Sequence, residues 1–275
     1  MKKTVLITGA TSGIGQQLAI EMGKLGHDLI LLYRDADKLE STLSQLSSVA
    51  DNVSVHAYLA DLADIDSVKR AARAIGKKHD QIDVLVNNAG AFHMTKEMTP
   101  SGHEKTMMVN YFSHFVLTMM LLDNLRASKQ GRVINVSSEC YKMRAYSMDD
   151  FEMVPKYHWG LAYNRSKLAQ VQLTKMLKEK LKDDNVTVTS VNPGAIDTNI
   201  YEPISGFMRF MLKFSLKPVE KGVTDIIDIA LRDDSSDVNG EFISKSKKVA
   251  IDKRFLDPQQ MQVLWQQSED LLHTN

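Results

Sequence analysis

Short apolar runs alternate along this chain with longer segments of helical periodicity. The β-branched run Thr4–Thr8 ends in Gly9-Ala10-Thr11-Ser12-Gly13-Ile14-Gly15, and Ile14, Leu18, Met22 and Leu25 then recur at steps of four or three. A second run, Asp28–Tyr33, is apolar through Leu29-Ile30-Leu31-Leu32, as a buried strand would be. The alternation continues with a strand over 53–59, a helix over 64–79 and a strand over 82–86 closed by Asn87-Asn88-Ala89-Gly90. A long helix over 102–125 carries Asn110 in its middle, and a strand over 132–136 ends in Ser137-Ser138. The helix holding Tyr163 and Lys167 runs to about Leu181, a strand over 186–191 precedes Asn192-Pro193-Gly194, and the last predicted strand lies near 241–243. Strands alternating with helices predict an α/β protein, a Rossmann-type doubly wound parallel sheet of about seven strands with helices on both faces. Without a Pro/Gly/Ser linker, a repeat or a low-complexity tract, residues 1–275 read as one domain.

Composition narrows the classes. At 43% apolar and 25% charged residues, the chain has the make-up of an ordinary globular protein. Lys+Arg and Asp+Glu are balanced at 34 each, which speaks against a nucleic-acid partner. The lone cysteine, Cys140, rules out an internal disulfide and fits a reducing compartment. No CxxC or HExxH spacing occurs among the histidines and cysteine, so no metal site is expected. The apolar run after Met1-Lys2-Lys3 is far too short for a secretory signal, and no stretch approaches the roughly 18–20 apolar residues of a spanning helix. The expected location is the cytoplasm.

The glycine-rich turn between a strand and a helix is the context in which a phosphate-binding loop works. Glycines let the backbone approach a pyrophosphate, and the helix N-terminus offers unpaired N–H groups and a positive dipole end. At the end of the second strand of a doubly wound fold, an acid would bind the ribose hydroxyls and an arginine would receive a 2′-phosphate. Here Tyr33 is followed by Arg34, so NADP(H) is favoured over NAD(H), and Asp35 is assigned to capping the next helix. In Leu161-Ala162-Tyr163-Asn164-Arg165-Ser166-Lys167-Leu168, Tyr163 and Lys167 share one helix face. A neighbouring ammonium favours the phenolate and draws a phenol near 10 towards the range useful for acid–base chemistry. An ordinary helix surface carries such pairs too, so the pair gains weight only from what accompanies it.

Gly9-x-x-x-Gly13-Ile14-Gly15, Asn87-Asn88-Ala89-Gly90, Asn110, Ser138, Tyr163-x-x-x-Lys167 and Pro193-Gly194 fall in order, each at a predicted strand end or helix. Together they resemble the short-chain dehydrogenase/reductase family over about residues 4–245. The stretches around Asn110 and Tyr163 are most similar to its retinol dehydrogenase-like branch. The resemblance implies a catalytic set of Asn110, Ser138, Tyr163 and Lys167. Tyr163 is the proton donor or acceptor, Lys167 lowers its pKa and binds the nicotinamide ribose, Ser138 hydrogen-bonds the substrate oxygen, and Asn110 holds a water in the proton relay. Ser137 competes with Ser138 for its role, and the family's register favours Ser138. Asn110 has a plainer alternative, a hydrogen bond to backbone at a helix kink. The cofactor surface implied comprises Gly9, Thr11, Ser12, Gly13, Ile14, Gly15, Arg34, Asp61, Leu62, Asn87, Ala89, Gly90, Tyr163, Lys167, Pro193, Gly194, Ile196 and Thr198.

The implied activity is NADP(H)-dependent interconversion of a carbonyl and an alcohol on a small apolar substrate: an aldehyde, a ketone, or a retinoid- or steroid-like molecule. The rival from another class is a redox-silent NADP(H)-binding regulator on the same scaffold, which would be expected to lose the Tyr, Lys or Ser. A sugar-nucleotide epimerase ranks last. The stretch between Ser138 and Tyr163 is longer than in compact family members, and residues 141–159 either wall the substrate pocket or cover a face used elsewhere for oligomerisation. A monomer and a homo-oligomer therefore both stay open. Residues 203–218 place Phe207, Phe210, Met211 and Phe214 on one helix face, which predicts an aromatic lid, with peripheral membrane contact as the less favoured reading.

Overall fold

The computed structural model describes residues 1–50, 52–143, 156–196 and 218–273. β1 (Thr4–Thr8) pairs in parallel with β2 (Asp28–Tyr33) on one side and β4 (Val84–Asn87) on the other. β3 (Val55–Leu59) lies outside β2, while β5 (Gly131–Val136), β6 (Val186–Asn192) and β7 (Phe242–Ser244) follow β4, each parallel to its neighbour. Among the described residues the sheet has eight strands in the order β3-β2-β1-β4-β5-β6-β7-β8. The eighth, β8 (Lys247–Lys248), is a short antiparallel addition reached through Lys245 and Ser246 at φ 51° and 58°. The strand order turns back between β1 and β4, and in such sheets ligands bind at the carboxyl ends of the strands beside that point.

The apolar strands are explained by cover on both faces. Leu6 joins one buried cluster with Ile30, Leu85 and Val133, while Val5 and Ile7 join the opposite one with Leu29, Leu31 and Val84. Successive side chains on a strand point to opposite faces, so both sets must be apolar when helices cover both. α3 (Ile65–Lys78) packs on the first face through Val68, Ala72 and Ile75. α1 (Gly13–Lys24) packs on the second through Leu18, Ala19 and Met22. α2 (Ala36–Ser47) opens at Asp35, whose carboxylate accepts the Lys38 N–H at 3.2 Å, the capping role expected of that residue.

The continuous helix predicted over 102–125 is broken. α4 (Lys105–Met107) starts at the buried carboxylate of Glu104, which accepts the N–H groups of Thr106 and Met107 at 2.9 and 2.8 Å. A single wide π-type turn, Met108–Phe112, follows, in which the Ser113 N–H bonds the Met108 carbonyl. The chain resumes as α5 (Ser113–Met120) and, after Leu121, α6 (Leu122–Arg126). Asn110 sits inside the wide turn. The apolar pattern predicts no element beyond residue 243, yet a helix spans Pro258–His273. Its Trp265 meets Phe115 edge-on with centroids 5.0 Å apart, and Ser268 Oγ lies 3.0 Å from the Tyr111 hydroxyl. Intervening glutamines break up the stripe of Leu264, Trp265 and Leu271 in the sequence, and only packing on α5 exposes it.

Candidate active site

The glycine turn adopts left-handed backbone that favours glycine. Gly9 and Gly13 have φ of +65° and +51°. A Cβ on Gly15 would lie 2.5 Å from Asn88 Nδ2 and press into the Gly9 carbonyl, so this position is set by close approach. Ser12 caps α1 without a side-chain bond, so its first-turn N–H groups are the donors that an anion would meet. The turn after β4 is tied back to the end of β1. Thr8 Oγ1 accepts the N–H groups of Asn88 and Ala89, both at 2.9 Å, and Asn88 Nδ2 donates to the Thr8 carbonyl at 2.8 Å.

A cleft of about 870 Å³ opens over these strand ends. Gly9, Thr11, Ser12, Gly13 and Ile14 line it from the glycine turn, Arg34 from the end of β2, and Asp61 and Leu62 from the end of β3. Ala89 and Gly90 line it from the turn after β4, and Pro193, Gly194 and Ile196 from the segment after β6. Two expected cofactor residues stand elsewhere. Gly15 packs beneath the turn. The Asn87 side chain is fully buried and donates to Thr118 Oγ1 at 3.0 Å and Asn135 Oδ1 at 2.9 Å, because the last residue of β4 turns it into the protein interior. It is the next residue, Asn88, that borders the cleft. Thr198 lies outside the described residues, as do residues 203–217 of the expected lid.

The catalytic candidates meet in the same cleft. α7 (Trp159–Lys180) places Tyr163 and Lys167 one turn apart, and both line the cleft with Ser138. Lys167 Nζ lies 5.6 Å from the centre of the Tyr163 ring and donates to the Val136 carbonyl at 2.8 Å and Gln170 Oε1 at 3.0 Å. Burial pushes the Lys167 ammonium down to about 7, against a smaller opposing effect of Cys140. The neighbouring serines divide their roles. Buried Ser137 donates from Oγ to the Lys167 carbonyl at 2.7 Å and so ties α7 to the end of β5. Ser138 is half-buried, and its Oγ accepts the Cys140 N–H at 3.2 Å. Asn110 does not line the cleft. Its Oδ1 accepts the Ala91 N–H at 2.8 Å, and its Nδ2 donates to the Ala91 carbonyl and to Ser166 Oγ, both at 2.9 Å. The residue thus braces the turn after β4 against α7 from the helix break.

Residues 3–207 match the model of the family described as short chain dehydrogenase. The chain belongs to that family. It is an oxidoreductase of alcohol and carbonyl groups. Retinol dehydrogenase 13 from Mus musculus is 34% identical over 281 residues, covering 98% of this chain and 84% of that protein. Retinol dehydrogenase 14 from Mus musculus is 33% identical over 285 residues, covering 97% and 85%. Among solved structures, the Pseudomonas aeruginosa RhlG/NADP active-site complex is 27% identical with a TM-score of 0.72, covering 88% of this chain and 94% of that one.

The dehydrogenase cleft also holds side chains that the motifs do not point to. Lys38 lines it from the first turn of α2, beside Arg34 at the end of β2, and no motif in the sequence marks it. Phe92, two residues after the Gly90 motif, forms an aromatic wall. Its ring centre lies 5.6 Å from that of Trp159 and 6.1 Å from that of Tyr163. From the stretch 141–159, Met143, His158 and Trp159 also line the cleft, whereas Tyr141 is buried against Phe242 and Phe255. Residues 144–155 lie outside the described part. Among the described residues no helix is long and apolar enough to cross a membrane.

Proposed function

We propose that the chain, as one catalytic unit over residues 1–275, interconverts a carbonyl and an alcohol on a small apolar substrate with NADP(H), using Tyr163 as the acid–base group. The observation that carries this reading is that Ser138, Tyr163 and Lys167 line one cleft with the glycine turn and Arg34. The residues fit the dinucleotide. Two glycines at positive φ and an α1 N-terminus without a side-chain cap suit a pyrophosphate, and exposed Arg34 and Lys38 suit a 2′-phosphate. The similar RhlG/NADP active-site complex supports the same choice.

When bound, the reduced cofactor supplies a hydride to the carbonyl carbon, and the oxidised cofactor accepts it in the reverse direction. Negative charge then develops on the substrate oxygen. The Tyr163 hydroxyl gives that oxygen its proton and takes it back when the alcohol is oxidised. Ser138 donates a hydrogen bond to the same atom, strongest when the charge is greatest. Lys167, when protonated, favours the Tyr163 phenolate and so brings the phenol towards neutral pH. Asn110 holds Ala91 and Ser166 in place around this group. Phe92, Met143 and Trp159 give the substrate end an apolar wall, which supports an apolar aldehyde or ketone. The test is NADPH consumption with a panel of aldehydes and ketones of graded size. Turnover of apolar members by the native protein and its loss in Tyr163→Phe are expected. The absence of turnover across the panel, in both directions, would overturn the reading.

A further inference from the structure

His114 is fully buried in α5, away from the cleft, and the mechanism above gives it no role. Its ring nonetheless bridges two pieces of the site. Nδ1 lies 3.0 Å from the Asn110 backbone carbonyl, where the wide turn interrupts the regular helical ladder. Nε2 lies 3.0 Å from Thr8 Oγ1, the hydroxyl that accepts the N–H groups of Asn88 and Ala89.

These partners dictate where the protons are. A carbonyl can only accept, so Nδ1 carries the hydrogen. Nε2 of the neutral ring is then an acceptor and takes the Thr8 hydroxyl proton. The competing acceptor for that proton, the Val86 carbonyl, is more distant at 3.4 Å. Each donor in the relay meets an acceptor, so the order runs without conflict from the Ala89 and Asn88 amides through Thr8 and His114 to the Asn110 carbonyl. Burial holds the imidazole well below its ordinary range, to about 3. The Asn110 hydrogen bond opposes this, and the charge of Lys167, approaching from α7, reinforces it.

The relay ends on groups that shape the site. Ala89 lines the cleft, and Asn110 clamps Ala91 and Ser166, the neighbour of Lys167. We propose that His114 is a positioning residue for the oxidoreductase reaction: in its neutral Nδ1–H form it fixes the Asn110 turn and the 88–91 turn in the arrangement in which Tyr163 and Lys167 act. The proposal rests on the Tyr163 reading given above, and it predicts a division of labour. The Nδ1 side governs the chemical step through Asn110. The Nε2 side governs cofactor affinity through Thr8 and the 88–89 amides.

Three variants and one spectroscopic measurement test it. His114→Phe keeps the ring and removes both bonds, His114→Asn keeps a donor near the Nδ1 position, and His114→Gln keeps a polar group near the Nε2 position. Displacements of about 1 Å in a site can cost on the order of 100-fold, so His114→Phe should lower kcat about 10–100-fold and also weaken NADPH binding. Its pH–rate profile should move upward, because Asn110 braces α7 through Ser166, next to Lys167, and a shift there moves the lysine charge away from Tyr163. His114→Asn should keep kcat within a few-fold, roughly threefold, of wild type while weakening NADPH binding. His114→Gln should show the converse. If His114→Phe does not fold, the Asn and Gln pair decides. In ¹⁵N-histidine spectra of the wild-type protein, His114 should stay neutral with its proton on Nδ1 from pH 8 to pH 5. A proton on Nε2, titration near 6.5, or variants that lower only thermal stability while kcat, NADPH affinity and the pH profile stay wild-type would overturn the proposal. The spectra stand apart from turnover: if Tyr163→Phe stays active, the functional reading fails whatever His114 shows.

Discussion

The Lys167 amine lies 5.6 Å from the centre of the Tyr163 ring, held there by the Val136 carbonyl and Gln170 Oε1. Two residues on one face of α7 are thus fixed by a third group from the end of β5. The lysine is buried, so burial disfavours its ammonium, and when it is protonated its charge is poorly screened from the phenol.

Tyr163→Phe should abolish turnover and leave cofactor binding nearly intact. A general acid–base group contributes typically about 10²–10⁴ in rate, and the phenyl ring keeps the contact with Phe92. Steady-state kinetics beside a direct NADPH titration check this. A variant that retains more than about a tenth of wild-type kcat would disprove the assigned chemistry. Lys167→Ala should differ by weakening NADPH binding as well as kcat.

Arg34 should select NADP(H). Arg34→Ala is expected to raise the KM for NADPH about 10–100-fold and to change that for NADH little, since a guanidinium meets a phosphate through paired charge-assisted hydrogen bonds. Lys38→Ala should act in the same direction with a smaller effect, because a lysine offers a point charge without the planar fork. Equal losses with both cofactors would remove the assignment.

Gly15→Ala should damage the nucleotide loop from below. The new Cβ would meet the Gly9 carbonyl and Asn88 Nδ2, so the backbone of both turns must give way. Overpacking of this kind costs about 1–3 kcal/mol, and thermal unfolding should show the loss together with weaker NADPH binding. Gly26→Ala offers a control for glycine replacement away from the cleft, since its Cβ would meet nothing within 4 Å and the strain comes only from its φ of +82°.

Acid should destabilise the protein through histidines that are neutral when folded. His114 has its folded pKa lowered to about 3, so its contribution is complete above the ordinary value of 6.5 and is lost as the pH falls through that window towards 3. One proton taken up only on unfolding gives a slope of about 1.4 kcal/mol per pH unit. His27, whose Nδ1 accepts the Lys3 N–H at 3.1 Å, is lowered by burial and acts in the same direction. Denaturant unfolding at pH 7, 5.5 and 4.5 should show the decline, and His114→Asn should flatten it. An unchanged slope in that variant would place the sensitivity elsewhere.

The local code of this chain is explicit where a feature depends on neighbours in sequence. The bounds of β1 and β2 follow from apolar runs ended by a glycine turn or a polar pair, and Asp35 caps the next helix with its own side chain. The Tyr163–Lys167 face needs only the helical repeat. Other features depend on partners far along the chain. The helix over 102–125 opens at Asn110, whose side chain is held by Ala91 and by Ser166, 19 and 56 residues away. Ser137 and Ser138 are equivalent as neighbouring serines until Ser137 meets the Lys167 carbonyl, 30 residues on. Asn87 and Asn88 differ only in which side of the strand end they face. The sequence therefore determined the alternation of elements, the glycine turn and the pairing of phenol with ammonium, because each is written in periods of two to four residues. Tertiary structure alone decided which serine and which asparagine reach the cleft, where the helix widens, and that Lys38, Phe92 and the far-off helix Pro258–His273 belong to the same assembly, because those choices are made by packing between segments that the chain keeps apart.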